Sequence, residues 1–125
     1  MFRINNNTKM IEVNRGDIAD ICIGAVGENG TDYIFQVGDV VRLGVYTKKN
    51  YNDLQLQKDI TISEEATSVV ISLTSENTKI GNITNKYVDY WYEIELNPET
   101  NPQTIIGHDE KGAKIFRVYP EGVEE

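Results

Sequence analysis

The run Tyr90-Trp91-Tyr92-Glu93-Ile94-Glu95-Leu96 constrains this chain more than any other stretch. Tyr90, Tyr92, Ile94 and Leu96 fall on one side of it, and Trp91, Glu93 and Glu95 on the other. Successive residues of a strand point to opposite faces, so the run predicts a half-buried β-strand with an apolar inner face. Extended back to Tyr87, the stretch holds the only tryptophan and three of the seven tyrosines.

The same alternation recurs along the chain. Residues 18–25 place Ala19, Ile21, Ile23 and Ala25 on one face. Residues 40–46 place Val41, Leu43 and Val45 inward and Arg42 outward, and residues 68–73 alternate Val69, Ile71 and Leu73 with Ser68, Val70 and Ser72. Residues 113–119 form a last strand with Phe116 and Val118 inward. Shorter extended candidates are 2–4, 10–13, 33–37, 54–62 and 103–107. Turn-forming clusters separate them: Arg15-Gly16-Asp17, residues 27–32, Gly38-Asp39, the two-proline stretch 97–102, and 108–112. Residues 47–53 read as a polar loop, 63–66 as a turn before a strand, and 75–85 as a crossover loop, since β-branched residues and Asn form helices poorly.

Many short strands, regular turns and no amphipathic helix predict an all-β fold in one domain over residues 1–125. The architecture expected is an immunoglobulin-like antiparallel β-sandwich of about seven or eight strands, with a small barrel as the alternative. Tyr90 follows a long crossover and opens a strand, which makes it the candidate for the tyrosine whose hydroxyl bonds upstream backbone in such sandwiches.

Composition narrows the partners. Apolar residues make up 39% of the chain and charged residues 26%, enough apolar material for one core. The formal net charge of −8 repels phosphate backbones and anionic bilayers, so neither nucleic acid nor membrane is an expected partner. Cys22 is the single cysteine and has no internal disulfide partner; between Ile21 and Ile23 it reads as a buried, inert thiol. The first residues lack a long apolar run, so no signal peptide is expected, and no stretch approaches the length of a membrane span. Asn6-Asn7-Thr8 and Asn82-Ile83-Thr84 match the glycosylation pattern and read as chance matches. Arg15-Gly16-Asp17 reads as a corner between strands rather than an adhesion motif.

Candidate chemistry is sparse. Nucleophilic catalysis needs an activated group beside a base, and the only histidine, His108, falls on a predicted hairpin tip. Zinc needs several Cys or His ligands, and the acidic pairs lack calcium-loop spacing, so no metal and no cofactor are expected. The glycines of 27–32 are followed by neither a lysine nor a periodic helix, which removes the phosphate-loop reading. Glu93 and Glu95 share a strand face at about 7 Å, near the spacing of glycosidase carboxylate pairs, but alternating glutamates on an outer face are ordinarily solvated surface. The outward aromatics Trp91, Tyr46 and Tyr33 are the candidate interaction residues, as an aromatic platform for a sugar or a protein.

Three pieces of sequence carry a resemblance. They are residues 11–17 (Ile-Glu-Val-Asn-Arg-Gly-Asp) with 35–41, the central run 90–96, and 104–107 with 114–122. In this order they resemble small β-sandwich proteins of phages and prophages of Gram-positive bacteria, similar to the immunoglobulin-like N-terminal domain of phage baseplate upper proteins. The resemblance implies a non-catalytic structural or assembly role in a tail or baseplate. The partners would be other phage structural proteins and the chain itself as a homo-oligomer. The location would be the virion, or the host cytoplasm before assembly. Long members of that family carry a receptor-binding or adaptor region after this domain; here the sequence ends soon after Pro120-Glu121-Gly122. A carbohydrate-binding sandwich that recognises a bacterial cell-wall glycan is the alternative, and a hydrolase using Glu93 and Glu95 a third reading.

Overall fold

A computed structural model describes residues 2–4, 9–27, 30–48, 50–81, 86–109 and 112–120. Nine strands appear among them: β1 Phe2–Ile4, β2 Ile11–Asn14, β3 Ala19–Ile23, β4 Val40–Thr47, β5 Asn50–Thr61, β6 Val69–Leu73, β7 Val88–Leu96, β8 Gln103–Ile106 and β9 Lys114–Tyr119. There is no helix among the described residues, and so none long and apolar enough to cross a membrane.

The large sheet runs β1-β2-β9-β7-β4-β5, with β8 also paired to β7, and the small sheet is the pair β3-β6. The sequence β9-β7-β4-β5 follows the G-F-C-C′ order of the immunoglobulin arrangement, and β3-β6 follows its B-E pair. The all-β sandwich fold read from the sequence is therefore present. Two details differ. The named pairs are antiparallel except β2 with β9, which run parallel. The strand opposite β7 is also broken in two: β8 pairs with Ile94–Leu96 and β9 with Val88–Tyr92, with residues 107–113 between them.

Alternation builds the core. Both β3 and β6 bury every second residue, so Ala19, Ile21 and Ile23 meet Val69, Ile71 and Leu73 on one face. The large sheet answers with Val41, Leu43 and Val45 from β4, Tyr90, Tyr92, Ile94 and Leu96 from β7, and Phe116 and Val118 from β9. Each such side chain contributes about 1.5–3 kcal/mol when fully buried. Phe35 seals the core from outside the named strands, tied to Ala66 by two backbone hydrogen bonds of 2.8 and 3.3 Å.

Several sequence expectations are corrected. Residues 50–53 belong to β5 rather than to a loop, because β4 and β5 stay paired to Thr47–Asn50 across bulges near Tyr46. Cys22 is exposed, since the alternation that buries Ile21 and Ile23 turns it outward. Tyr90 is buried with its hydroxyl end against Gly81, but the tyrosine hydroxyl that donates to distant backbone among the described residues is that of Tyr92, to the Lys9 carbonyl. Burial pushes the Tyr92 phenol well above its ordinary pKa. Both glycosylation-pattern sites lie outside the described residues.

The Arg15-Gly16-Asp17 corner is held from beneath. Gly16 has φ 90°, its N–H donates to the Thr78 hydroxyl at 3.0 Å, and its carbonyl accepts from Ser75 Oγ at 2.6 Å. Thr78 is completely buried and donates in turn to the Asp17 carbonyl at 2.7 Å, while the Arg15 guanidinium reaches the Gly81 carbonyl. A structural clasp accounts for the triplet.

Candidate interaction face

The outer face of the large sheet can be built row by row from the strand registers, because directly opposed residues share a face. Trp91 on β7 stands opposite Tyr46 on β4 and Ile115 on β9. Tyr46 in turn faces Leu54 on β5, where a bulge resets the alternation and leaves Leu54 45% exposed. Ile115, Trp91, Tyr46 and Leu54 thus form an apolar row across four strands, about 14 Å wide.

Tyr46 lies along the sheet instead of standing up from it. A Cβ built on Gly44 would come within 2.6 Å of the Tyr46 hydroxyl and 2.9 Å of its ring. Only a residue without a side chain leaves room for that ring, which in turn covers a bare patch of central strand. Burial, followed by the negative charges of Glu93 and Glu95, raises the Tyr46 phenol pKa. The hydroxyl end of the ring therefore points toward the acidic part of the face.

The rows on either side are ionic. On one side Arg117 forms a bidentate pair with Asp89, at 2.7 and 3.0 Å, with Tyr87 stacked 3.9 Å from the guanidinium carbon. That hydrogen bond to Asp89 holds the Arg117 pKa above its ordinary value. On the other side Glu93 faces Gly44, and Glu95 faces Arg42. Arg42, however, is bound bidentately to Asp59 at 2.9 and 3.0 Å and to Glu99 at 3.0 Å. Burial first, then the adjacent Glu95, pushes the Glu93 carboxyl pKa up, and His108 partly offsets this.

Tyr33 does not join this face. It sits half-buried near the end of β7, edge-on to Phe35 at 5.3 Å, and its hydroxyl donates to Asp39 at 2.7 Å. That hydrogen bond raises the Tyr33 pKa. Of the three candidate aromatics, Tyr33 thus stands apart from Trp91 and Tyr46: the chain before Phe35 folds toward the core because Phe35 is anchored at Ala66. Tyr33 lines a hollow of about 330 Å³ instead, together with Gly24–Gly27, Leu96 and Gln103–Ile106. This hollow continues on either side, through Lys9 and Ile106, into hollows of about 130 and 340 Å³.

His108 lies exposed at the end of the last hollow, next to Asp109, whose carboxylate takes the ammonium of Lys114 at 2.8 Å. Lys114 occupies an inward position of β9, in alternation with Phe116 and Val118. Glu93 and Glu95 stand on the sheet face and line none of these hollows. Among the described residues no three His, Cys, Asp or Glu side chains cluster as metal ligands would.

Fold and face together define the class: an immunoglobulin-ordered β-sandwich with an aromatic row, framed by ion pairs, on its large sheet. Comparison with protein-family models, curated proteins and solved structures gives no match.

Proposed function

We propose that this chain is a non-catalytic structural or assembly protein of a phage or prophage tail or baseplate, acting through protein–protein contacts. The observation that carries the contact role is the row Ile115-Trp91-Tyr46-Leu54, which brings two sequence-predicted interaction residues side by side. Aromatic residues with a polar frame are the usual composition of an interface centre. The phage setting is supported by the sequence resemblance described above.

The test is sedimentation of the chain alone and co-expressed with the products of its neighbouring genes. A defined oligomer or complex is expected, weakened by at least tenfold in Trp91→Ala/Tyr46→Ala, the loss of two aromatic anchors costing about 2 kcal/mol or more. A monomer that ignores every neighbouring product would overturn the proposal.

A second reading, recognition of a cell-wall glycan, is favoured by one feature: the Tyr46 ring lies flat beside Trp91 with carboxylate acceptors adjacent. Tryptophan fluorescence titrated with wall polysaccharide separates the two. Saturable quenching supports the glycan, and no response leaves assembly.

A further inference from the structure

The charges on the outer face of the large sheet do not balance within the molecule. Four acidic residues, Asp59, Glu93, Glu95 and Glu99, surround one arginine, Arg42. Its guanidinium donates to Asp59 through Nε and Nη2 and to Glu99 through Nη1. Among the described residues, the Glu93 and Glu95 carboxylates have neither a hydrogen bond nor an ion pair, although His108 lies close enough to attract Glu93. Glu93 lies one row beyond Trp91 and Tyr46 and Glu95 two rows beyond, the two carboxylates about 7 Å apart along β7.

Resting on the reading of this face as an interaction surface, we infer that Trp91, Tyr46, Glu93 and Glu95 form a docking site for an arginine-bearing, cationic segment of a partner protein. A guanidinium is planar and weakly hydrated, stacks on aromatic rings and pairs bidentately with carboxylates. The face offers both halves of that recognition in adjacent rows. A neutral sugar seated on the same rings would donate hydroxyls to the carboxylates but bring no charge to offset theirs. The net charge of −8 adds a long-range field that draws a cationic partner in.

The probe is a hexa-arginine peptide titrated into the whole chain at low salt, read by the indole N–H resonance of Trp91 and by its fluorescence. A saturable shift of that resonance is expected. Glu93→Gln/Glu95→Gln should weaken binding about tenfold, the scale of a close charge pair. Glu64→Gln/Glu65→Gln, on an exposed turn, removes the same net charge and should bind like the parent.

Equal weakening in the two double variants would mean that only the overall field acts, and would overturn the inference. An unmoved Trp91 resonance would do the same, as would saturation by wall polysaccharide but not by the peptide. The two proposals fail separately. A partner complex lost in Trp91→Ala/Tyr46→Ala but kept in Glu93→Gln/Glu95→Gln sinks the cationic partner and leaves the interaction face. A complex indifferent to both variants sinks both.

Discussion

At the scale of single residues, the molecule depends on a few polar side chains placed where no strand pattern would put them. Thr78 is the clearest. Its buried hydroxyl accepts from the Gly16 N–H and donates to the Asp17 carbonyl, so one side chain serves two backbone groups of a corner sixty residues upstream. Thr78→Ala should destabilise the fold by about 1–3 kcal/mol, the cost of leaving buried groups unpaired, and Thr78→Ser should recover most of it. Chemical denaturation of the three proteins checks this; equal midpoints would show the clasp to be idle. Nothing in the sequence announced Thr78, because a threonine in a polar crossover looks like solvated loop. Cys22 shows the opposite case. Its isoleucine neighbours argued for burial, but strand periodicity, not neighbourhood, decides which way a side chain faces.

At the scale of elements, the periodicity of two was legible in β3, β4, β6 and β7, but not at the start of β5, where a bulge interrupts it. Pairing was not. A strand's own residues carry its inner face but not its neighbour, so neither the parallel β2–β9 contact nor the division of labour between β8 and β9 was visible. The candidate face was legible by half for the same reason: Trp91 and Tyr46 meet because β4 and β7 are adjacent, while Tyr33 is carried off by the anchoring of Phe35. The two sheets also differ in support. Strand β4 is paired along both edges, whereas β3 and β6 have only each other among the described residues. Amide exchange should therefore be at least about tenfold faster across the Ile21–Ile71 ladder than across Leu43–Ile94, since elements with fewer partners open at lower free energy. Equal protection of the two ladders would mean that the sandwich opens only as a whole.

At the scale of the whole molecule, acidity should shape stability in two opposite steps. Glu93 has a raised pKa, so ionising it costs stability above its folded value, and that cost disappears as pH falls past 4.5, its ordinary value. Self-repulsion among the net negative charges also falls over this range, toward the pI near 4.6. Asp39 acts the other way. Burial pushes its pKa up, but donors from the Gln36 amide, the Tyr33 hydroxyl and Asn97 outweigh this and hold it low. Its contribution is present above 3.8, the ordinary value, and is lost as pH falls through the lower folded value. The melting temperature should rise from pH 7.5 to about 5 and drop below about 3.8, and Glu93→Gln should flatten the rise. Calorimetry across that range checks it; a monotonic fall on acidification would refute the assignment.

The lone thiol has a practical consequence. Cys22 sits opposite Val70 on the small sheet, whose outer surface looks away from the Trp91 side of the sandwich. Tethered there to a maleimide-coated chip, every copy would lie in a single orientation with its aromatic stripe toward the flow, and a spin label or dye at that sulfur would report on tumbling without obstructing capture.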